Sequence, residues 1–326
     1  MKIIQITPGT EEFRIFSEAL KKEVNKEPED FGITSEDKST LILCGFSEKG
    51  LESFAIFRSF LDLSLHIGTM VEPSYLKSLK EIENAEIFEI SIVRTTGSND
   101  KLAEATTEFI GEAERILLDR AEACCLMISL LEKGNAKSFP LWKKLGFKRK
   151  GGKAYLMELS LIDVVKRYGK VSKREGEILL KTFDELNDDN LKTLASCYSK
   201  IFAPSLEGEV YHYLQKMISK KSFLKNLSTV VCNLSNGEEV IGFCFIEREN
   251  DSRIYISAAG LNENMRGKGV SMRSFSWIME NCINCGYKKA SLVTASRKLK
   301  SFFSRSICAH HVDNVVRYIK CSARDE

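Results

Sequence analysis

The chain has 326 residues, 43% of them hydrophobic, and a net charge of +3; that is enough polymer for two domains with separate cores and too balanced in charge to point to nucleic acid. No apolar run reaches the length of a membrane span, and the start, Met1 to Ile6, lacks the apolar core and cleavage site of a secretory leader. Ten cysteines without framework spacing, mostly inside apolar runs such as Cys124-Cys125-Leu126-Met127 and Phe243-Cys244-Phe245, point to buried free thiols and a reducing, cytoplasmic setting.

Taken in order, residues 2–6 alternate like a strand, and Glu11–Lys26 has helical spacing with Thr10 as N-cap and Pro28 beyond its end. Thr40–Gly45 and Gly50–Phe57 read as a hairpin. Arg58–Asn84 holds an alternation (Leu61, Leu63, Leu65, Ile67) and a short helical stretch, Tyr75–Ile82. Ala85–Val93 is a strand, and Cys124–Leu130 is a buried one. Between them Lys101–Asp119 is an amphipathic helix with Leu102, Ala105, Phe109, Ala113 and Ile116 on one face. Asn135–Leu145 is a helix stopped by Gly146, and Phe147–Leu159 makes two strands around Gly151-Gly152. A charged connector, Val164–Glu175, leads to a strand at Ile178–Phe183 and helices at Asp189–Ile201 and Glu207–Met217. Thr229–Asn233 and Glu239–Glu247 form a hairpin across Asn236-Gly237. Arg253–Ala259 is a strand, and Phe275, Ile278, Met279 and Cys282 mark a helix ending near Asn284. Strand Lys289–Thr294, helix Arg297–Ser306 and strand Asp313–Cys321 close the chain. Strands and helices in this order predict an α/β fold with a mixed sheet.

Between the Arg253–Ala259 strand and the following helix lies Met265-Arg266-Gly267-Lys268-Gly269-Val270-Ser271. Glycines allow close backbone approach to a bulky anion, and the first turn of a helix offers unpaired N–H groups at its positive end. The stretch therefore predicts a pyrophosphate cradle. It is not a P-loop, because Gly269 follows Lys268 and no glycine lies five residues before Gly267; it also lacks the third glycine of the dinucleotide fingerprint. Residues 1–160 carry 22 Lys and Arg against 26 Asp and Glu, and residues 161–326 carry 26 against 19, so the basic half is the half with the loop. That suits an anionic cofactor.

The spacing Arg266…Gly269…Ser271 resembles the Arg-x-x-Gly-x-Gly/Ala acyl-CoA loop of the GNAT superfamily of N-acetyltransferases, with Ser271 in the last small position. The run from Asn135 to Phe147 resembles the closing GNAT signature, Asn-x-x-Ala-x-x-x-Tyr leading into Leu-Gly-Phe. There Ser138 stands for the alanine and Trp142 for the tyrosine. The signature precedes the loop by about 120 residues, which implies two copies. Lys137-Ser138-Phe139 recurs as Lys300-Ser301-Phe302 at an offset of 163, which also relates Tyr155 to Tyr318 and Leu156 to Ile319. Cys44, Ser47 and Phe57 match Cys232, Ser235 and Phe245 at an offset of 188, so the first copy has roughly twenty extra residues near Arg58–Asn84. The expected organisation is two tandem GNAT-like domains, a degenerate one at 1–163 and an acetyl-CoA-binding one at 176–326.

The resemblance implies that coenzyme A lies along the backbone of Ala259, Gly260 and Leu261, where this strand splays from the next. Its diphosphate would meet backbone N–H groups of Arg266, Gly267, Lys268, Gly269, Val270 and Ser271, with charge added by Lys268 and Arg273. Aligning Val93 with Leu261 puts Ser98, Lys101 and Ala103 where Arg266, Gly269 and Ser271 stand, and Asp100 adds an anion, so the first copy is expected to bind no CoA. The closing-helix tyrosine that serves GNAT enzymes as acid is absent: Trp142 and Arg305 hold its places. Ser304 and Tyr318 are the substitutes, and Glu247 reads as a base through water or as a solvated strand-end carboxylate. His310-His311 with Asp313 is a base candidate or a loop pair. Cys282-x-x-Cys285 lacks a second ligand pair, so no metal is expected. Trp277 and Phe302-Phe303 read as packing. These residues predict an N-acetyltransferase acting on a small-molecule or peptide amine, with neither nucleic acid nor membrane as partner. The alternative is a catalytically silent acyl-CoA-binding or protein-interaction module.

Overall fold

The structure, a computed structural model, describes residues 1–31, 33, 40–59, 85–96, 101–134, 138–149, 154–202, 207–294 and 296–323. The Leu61–Ile67 alternation, the helical stretch Tyr75–Ile82, Ser98, Asp100 and Asn135 lie outside the described residues. The chain forms two compact units. One comprises Met1–Ser64, Glu72–Lys153 and Val315–Glu326; the other comprises Leu65–Val71 and Ala154–Asn314.

In the first unit β1 (Lys2–Ile6), β2 (Thr40–Ser47), β3 (Gly50–Ser59) and β4 (Ala85–Thr95) pair antiparallel in sequence order. β5 (Ala123–Leu131) joins β4 in parallel, and the later part of β14 (His310–Ala323) closes antiparallel on β5. Helix α1 (Glu11–Val24) starts where the Thr10 hydroxyl accepts from the Phe13 N–H at 3.2 Å and stops at Asn25 in the left-handed region. It buries Phe16 and Leu20 against Ile42, Phe54 and Ile56 on one sheet face. Helix α2 (Leu102–Leu118) buries Ala105, Phe109, Ala113 and Ile116 on the other face, four of the five residues of its expected stripe. Helix α3 (Phe139–Lys144) and the turn at Gly146 bring Trp142 and Phe147 edge to face at 5.2 Å in the same core. The short strand β6 (Lys148–Arg149) pairs with β14.

The second unit repeats the pattern. β8 (Arg174–Glu175), β9 (Ile178–Thr182), β10 (Thr229–Asn233), β11 (Glu239–Asn250) and β12 (Arg253–Leu261) are antiparallel neighbours. β13 (Lys289–Thr294) runs parallel to β12, and β7 (Ala154–Ser160) closes antiparallel on β13. Helices α5 (Asp188–Phe202) and α6 (Glu207–Ser219) set Leu194, Tyr198, Val210 and Leu214 against Phe243 and Phe245. On the other face α4 (Leu161–Tyr168) and α7 (Val270–Asn284) pack Leu161, Val164, Ile278, Met279 and Cys282 over Ile246, Ile254 and Leu292. Helix α8 (Arg297–Ser306) follows β13.

Three expectations change. The closing strands are exchanged between the halves of the sequence: Ala154–Ser160 belongs to the second unit and Val315–Ala323 to the first, so the units differ from the cuts at 163 and 176. The two strands around Gly151-Gly152 therefore pair with different partners, β14 and β13, rather than with each other. The connector contains a helix, α4, whose Leu161, Val164, Val165 and Tyr168 stripe packs into the core. Finally, Cys125 and Cys321, directly opposed across β5 and β14, form a disulfide, where free thiols were expected. The other eight cysteines are free, and six of them are buried. Among the described residues no helix is long and apolar enough to cross a membrane.

Candidate functional site

The site is built on β12. Its β11-facing edge is paired as far as Gly242↔Leu261, but its parallel ladder with β13 stops at Ile256↔Leu292. From Ser257 onward the second edge of β12 has no strand partner among the described residues. Ser257 is also skipped in the β11 register, where Ala258 faces Phe245 and Ile256 faces Ile246. A bulge of this kind bends a strand and ends pairing, which opens the gap. The Ser257 hydroxyl is buried there without a hydrogen-bond partner among the described residues. Beyond it Ala259 is exposed, Gly260 half-buried, and Leu261 packed on Val270 and Ile241.

After β12 a tight turn, Glu263–Met265, leads into the glycine loop. Gly267 and Gly269 sit at φ +78° and +77°, and a Cβ at either would meet nothing within 4 Å. The glycines answer a backbone requirement, not crowding. Gly269 is the N-cap of α7; the helix has no side-chain cap and no acid in its first turn. Backbone acceptors take the N–H groups of Arg266 (from Glu263, 3.1 Å) and Arg273 (from Gly269, 3.2 Å), but none takes those of Gly267 to Met272 among the described residues. The free amides thus begin at Gly267, one residue later than expected.

The cations divide. Arg266 folds back on its own loop, donating from Nε to the Leu261 carbonyl at 3.1 Å and pairing with Glu263 at 3.3 Å. It braces the turn. Arg273, expected to add charge, pairs with Glu175. Lys268 is exposed, with only the Met265 sulfur at 3.9 Å from its Nζ. Lys268 is the loop cation without a carboxylate among the described residues. Open amides at a positive helix end, a free cation and an unpaired strand edge fit a diphosphate joined to an extended amide chain, as in coenzyme A.

The proposed acid and base residues scatter. Glu247 on β11 faces Tyr255, one pair before the bulge, and accepts from the Ser222 hydroxyl at 3.3 Å. Ser304 is exposed on α8. Tyr318 is in the first unit, 3% exposed, opposite Ile128 and 5.5 Å from the Phe139 ring. Its expected place in the second unit is held by its repeat mate, Tyr155 on β7. Tyr155 faces Thr294 just past the end of the β12–β13 ladder. Its hydroxyl accepts from Arg297 Nε at 3.3 Å, and Lys300 Nζ lies 4.2 Å from the ring centroid. Sequence reasoning missed Tyr155, although the offset of 163 relating it to Tyr318 was the signal. His310 approaches Glu158 at 3.6 Å, whereas His311 bonds Asn314 at 3.1 Å, so the two rings do not converge. Cys282 is buried in the core and Cys285 exposed; Trp277 and Phe303 pack on the core, and Phe302 is exposed.

The first unit shows the same bulge and the same short parallel ladder. Ser91 is skipped between Ile56 and Phe57, and the β4–β5 ladder ends at Glu89↔Met127. Here side chains bridge the strands. Arg58 Nε donates to Ser91 at 2.8 Å, Ser129 donates to Glu89 at 3.1 Å, and Arg317 Nε donates to Ser129 at 3.3 Å. At the head of α2 the N-cap is Lys101, and Glu104 stands in the first turn.

No protein-family model and no curated protein matches the chain. Solved structures do. A tandem GNAT protein from the clavulanic acid biosynthesis pathway aligns with a TM-score of 0.71 at 9% identity, over 100% of this chain and 99% of its own. A GCN5-related N-acetyltransferase from Sphaerobacter thermophilus aligns at 0.57 and 12% identity, over 99% and 97%. A glucosamine N-acetyltransferase region of a fungal multi-domain β-N-acetylglucosaminidase aligns at 0.60 and 10%, over 97% of this chain and 38% of the longer one. Repeated sheets, bulged and splayed strands and the end-to-end match agree: the chain has the tandem GNAT fold.

Proposed function

We propose that the second unit is an acetyl-CoA-dependent N-acetyltransferase for a small-molecule or peptide amine, and that the first unit is a degenerate copy that binds no CoA. The observation that carries this reading is the run of open amides from Gly267 to Met272 beside the unpaired edge of β12. Amides of Gly267 to Ser271 and the Lys268 ammonium hold the diphosphate; the backbone of Ala259, Gly260 and Leu261 receives the pantetheine amides as a strand would. Bound acetyl-CoA supplies the activated acyl group. Ser257 offers its unused hydroxyl to the acyl oxygen. Glu247, directly or through water, takes a proton from the substrate ammonium, and the neutral amine so formed attacks the acyl carbon. Tyr155 donates its proton to the sulfur as the C–S bond breaks. Much of the acceleration comes from holding the reactants in line. In the first unit the Ser129–Glu89 bridge ties β5 to β4 where their ladder ends, and Glu104 opposes an anion at the helix head.

A second reading, a silent CoA-binding module, draws on the lack of a tyrosine on α8. Thiol release from acetyl-CoA across a panel of small and peptide amines separates the two. Amine-dependent release supports the enzyme; CoA binding without release with any amine supports the silent module; no CoA binding at all refutes both.

A further inference from the structure

In the second unit the segment Gly169–Glu175 covers a seam. It adds β8 to the outer edge of β9, with Arg174↔Leu179 and Glu175↔Ile178 in register and the Leu180 N–H donating to the Lys173 carbonyl at 2.9 Å. It also lies along α7: the Ser276 hydroxyl donates to the Gly169 carbonyl at 2.7 Å, Lys170 pairs with Glu280 at 3.2 Å, and Glu175 pairs with Arg273. The cavity left between this segment, β9 and the head of α7 is only about 10 Å³.

The first unit has the same seam without the cover. β1 corresponds to β9 and α2 to α7. Among the described residues β1 pairs only with β2, and no described strand takes the backbone groups of its outer edge. At the Met1 end of this strand, between the start of β3 and the head of α2, lies a cavity of about 550 Å³, walled by Met1, Lys49, Glu52, Lys101, Glu104 and Glu108. Glu104 and Glu108 are one helical turn apart. The ion pairs of α2 involve Glu112, Glu114 and Asp119, and among the described residues neither Glu104 nor Glu108 takes part in one. The segment that fills the equivalent seam is basic, with Lys170, Lys173 and Arg174 among its seven residues. The chain thus contains a template for what fits there.

We propose that the outer edge of β1 and the adjoining cavity form a docking surface for an extended, lysine- or arginine-bearing peptide of a partner protein. The peptide adds as a strand to β1 and sets its cations against Glu104 and Glu108. This surface is independent of acetyl transfer.

The test uses the full chain and a fluorescein-labelled synthetic peptide with the sequence of Tyr168–Glu177, followed by anisotropy and by amide hydrogen exchange. The expected result is saturable binding that slows exchange at Lys2–Ile6. The Glu104→Lys, Glu108→Lys double variant should weaken binding about tenfold, as expected for two partly exposed charge contacts. Should that variant misfold by circular dichroism, a peptide carrying Lys170→Glu, Lys173→Glu and Arg174→Glu takes its place and must fail to bind. The proposal is overturned by no saturation up to about 1 mM peptide, by binding indifferent to these charges, or by protection elsewhere than β1. It is also overturned if Lys2–Ile6 becomes protected with rising protein concentration alone, because the occupant is then a second copy.

Discussion

Gly269→Ala separates the strain in the loop from the CoA binding proposed for it. Gly269 adopts φ +77°, and a Cβ there meets nothing within 4 Å, so the added methyl brings no clash. What remains is the left-handed penalty of an L-residue, about 1–2 kcal/mol. That energy must surface in one of two measurements. If alanine keeps the loop shape, it is lost from folding, and the second unit melts roughly 2–8 °C lower. If the loop relaxes when free, stability is preserved and the energy is charged to binding, raising the CoA dissociation constant about 5–30-fold. The two losses together should total about 1–2 kcal/mol. Scanning calorimetry measures the first and titration calorimetry with CoA the second. Gly9→Ala is the control: Gly9 has φ +90° and equally open surroundings but belongs to the first unit, so it lowers stability and leaves CoA affinity alone. The reasoning is refuted if Gly269→Ala changes neither quantity, or if Gly9→Ala weakens CoA as much.

Tyr155→Phe should lower kcat by about 10²-fold with CoA affinity unchanged, while Tyr318→Phe, buried in the first unit, leaves kcat as it was; equal effects of the two in a steady-state assay would remove Tyr155 from the mechanism. Burial pushes the thiols of Cys124 and Cys232 to about 11 and those of Cys197 and Cys244 to about 12, so near pH 8 they carry little thiolate, whereas Cys285 and Cys308 are exposed. Native alkylation counted by mass spectrometry should give two fast adducts; more than two would contradict the packing. The Cys125–Cys321 disulfide spans 196 residues, which on the chain-entropy account contributes about 5 kcal/mol. Reductant should therefore lower the first unit's urea midpoint in the wild type and leave Cys321→Ser unmoved; a wild type insensitive to reductant would refute that contribution.

Local chemistry was legible in the sequence. Thr10 caps its helix, the Phe109 stripe faces the core, and the strand, glycine loop and helix around Gly269 stand where spacing put them. The exchange of closing strands was not legible, because Tyr155 and Tyr318, and Leu156 and Ile319, offer the same residue types at the same positions. Either strand satisfies either sheet, and only packing chooses. The Leu161–Tyr168 stripe was present but masked by the charges of Asp163, Lys166 and Arg167. Arg266 matched a motif, yet its side chain braces the Leu261 carbonyl, because a guanidinium that close to its own turn finds a carbonyl sooner than a ligand. Ser257 carries no sequence signal; a bulge is visible only in the register of two strands.

The most direct test of the central claim is titration calorimetry of the full chain with CoA, repeated with Lys268→Glu and with Lys101→Glu. The account predicts one site per chain, weakened about tenfold or more by Lys268→Glu and untouched by Lys101→Glu at the head of the first unit's helix. Two sites per chain, or one site that responds to Lys101→Glu and ignores Lys268→Glu, would contradict it.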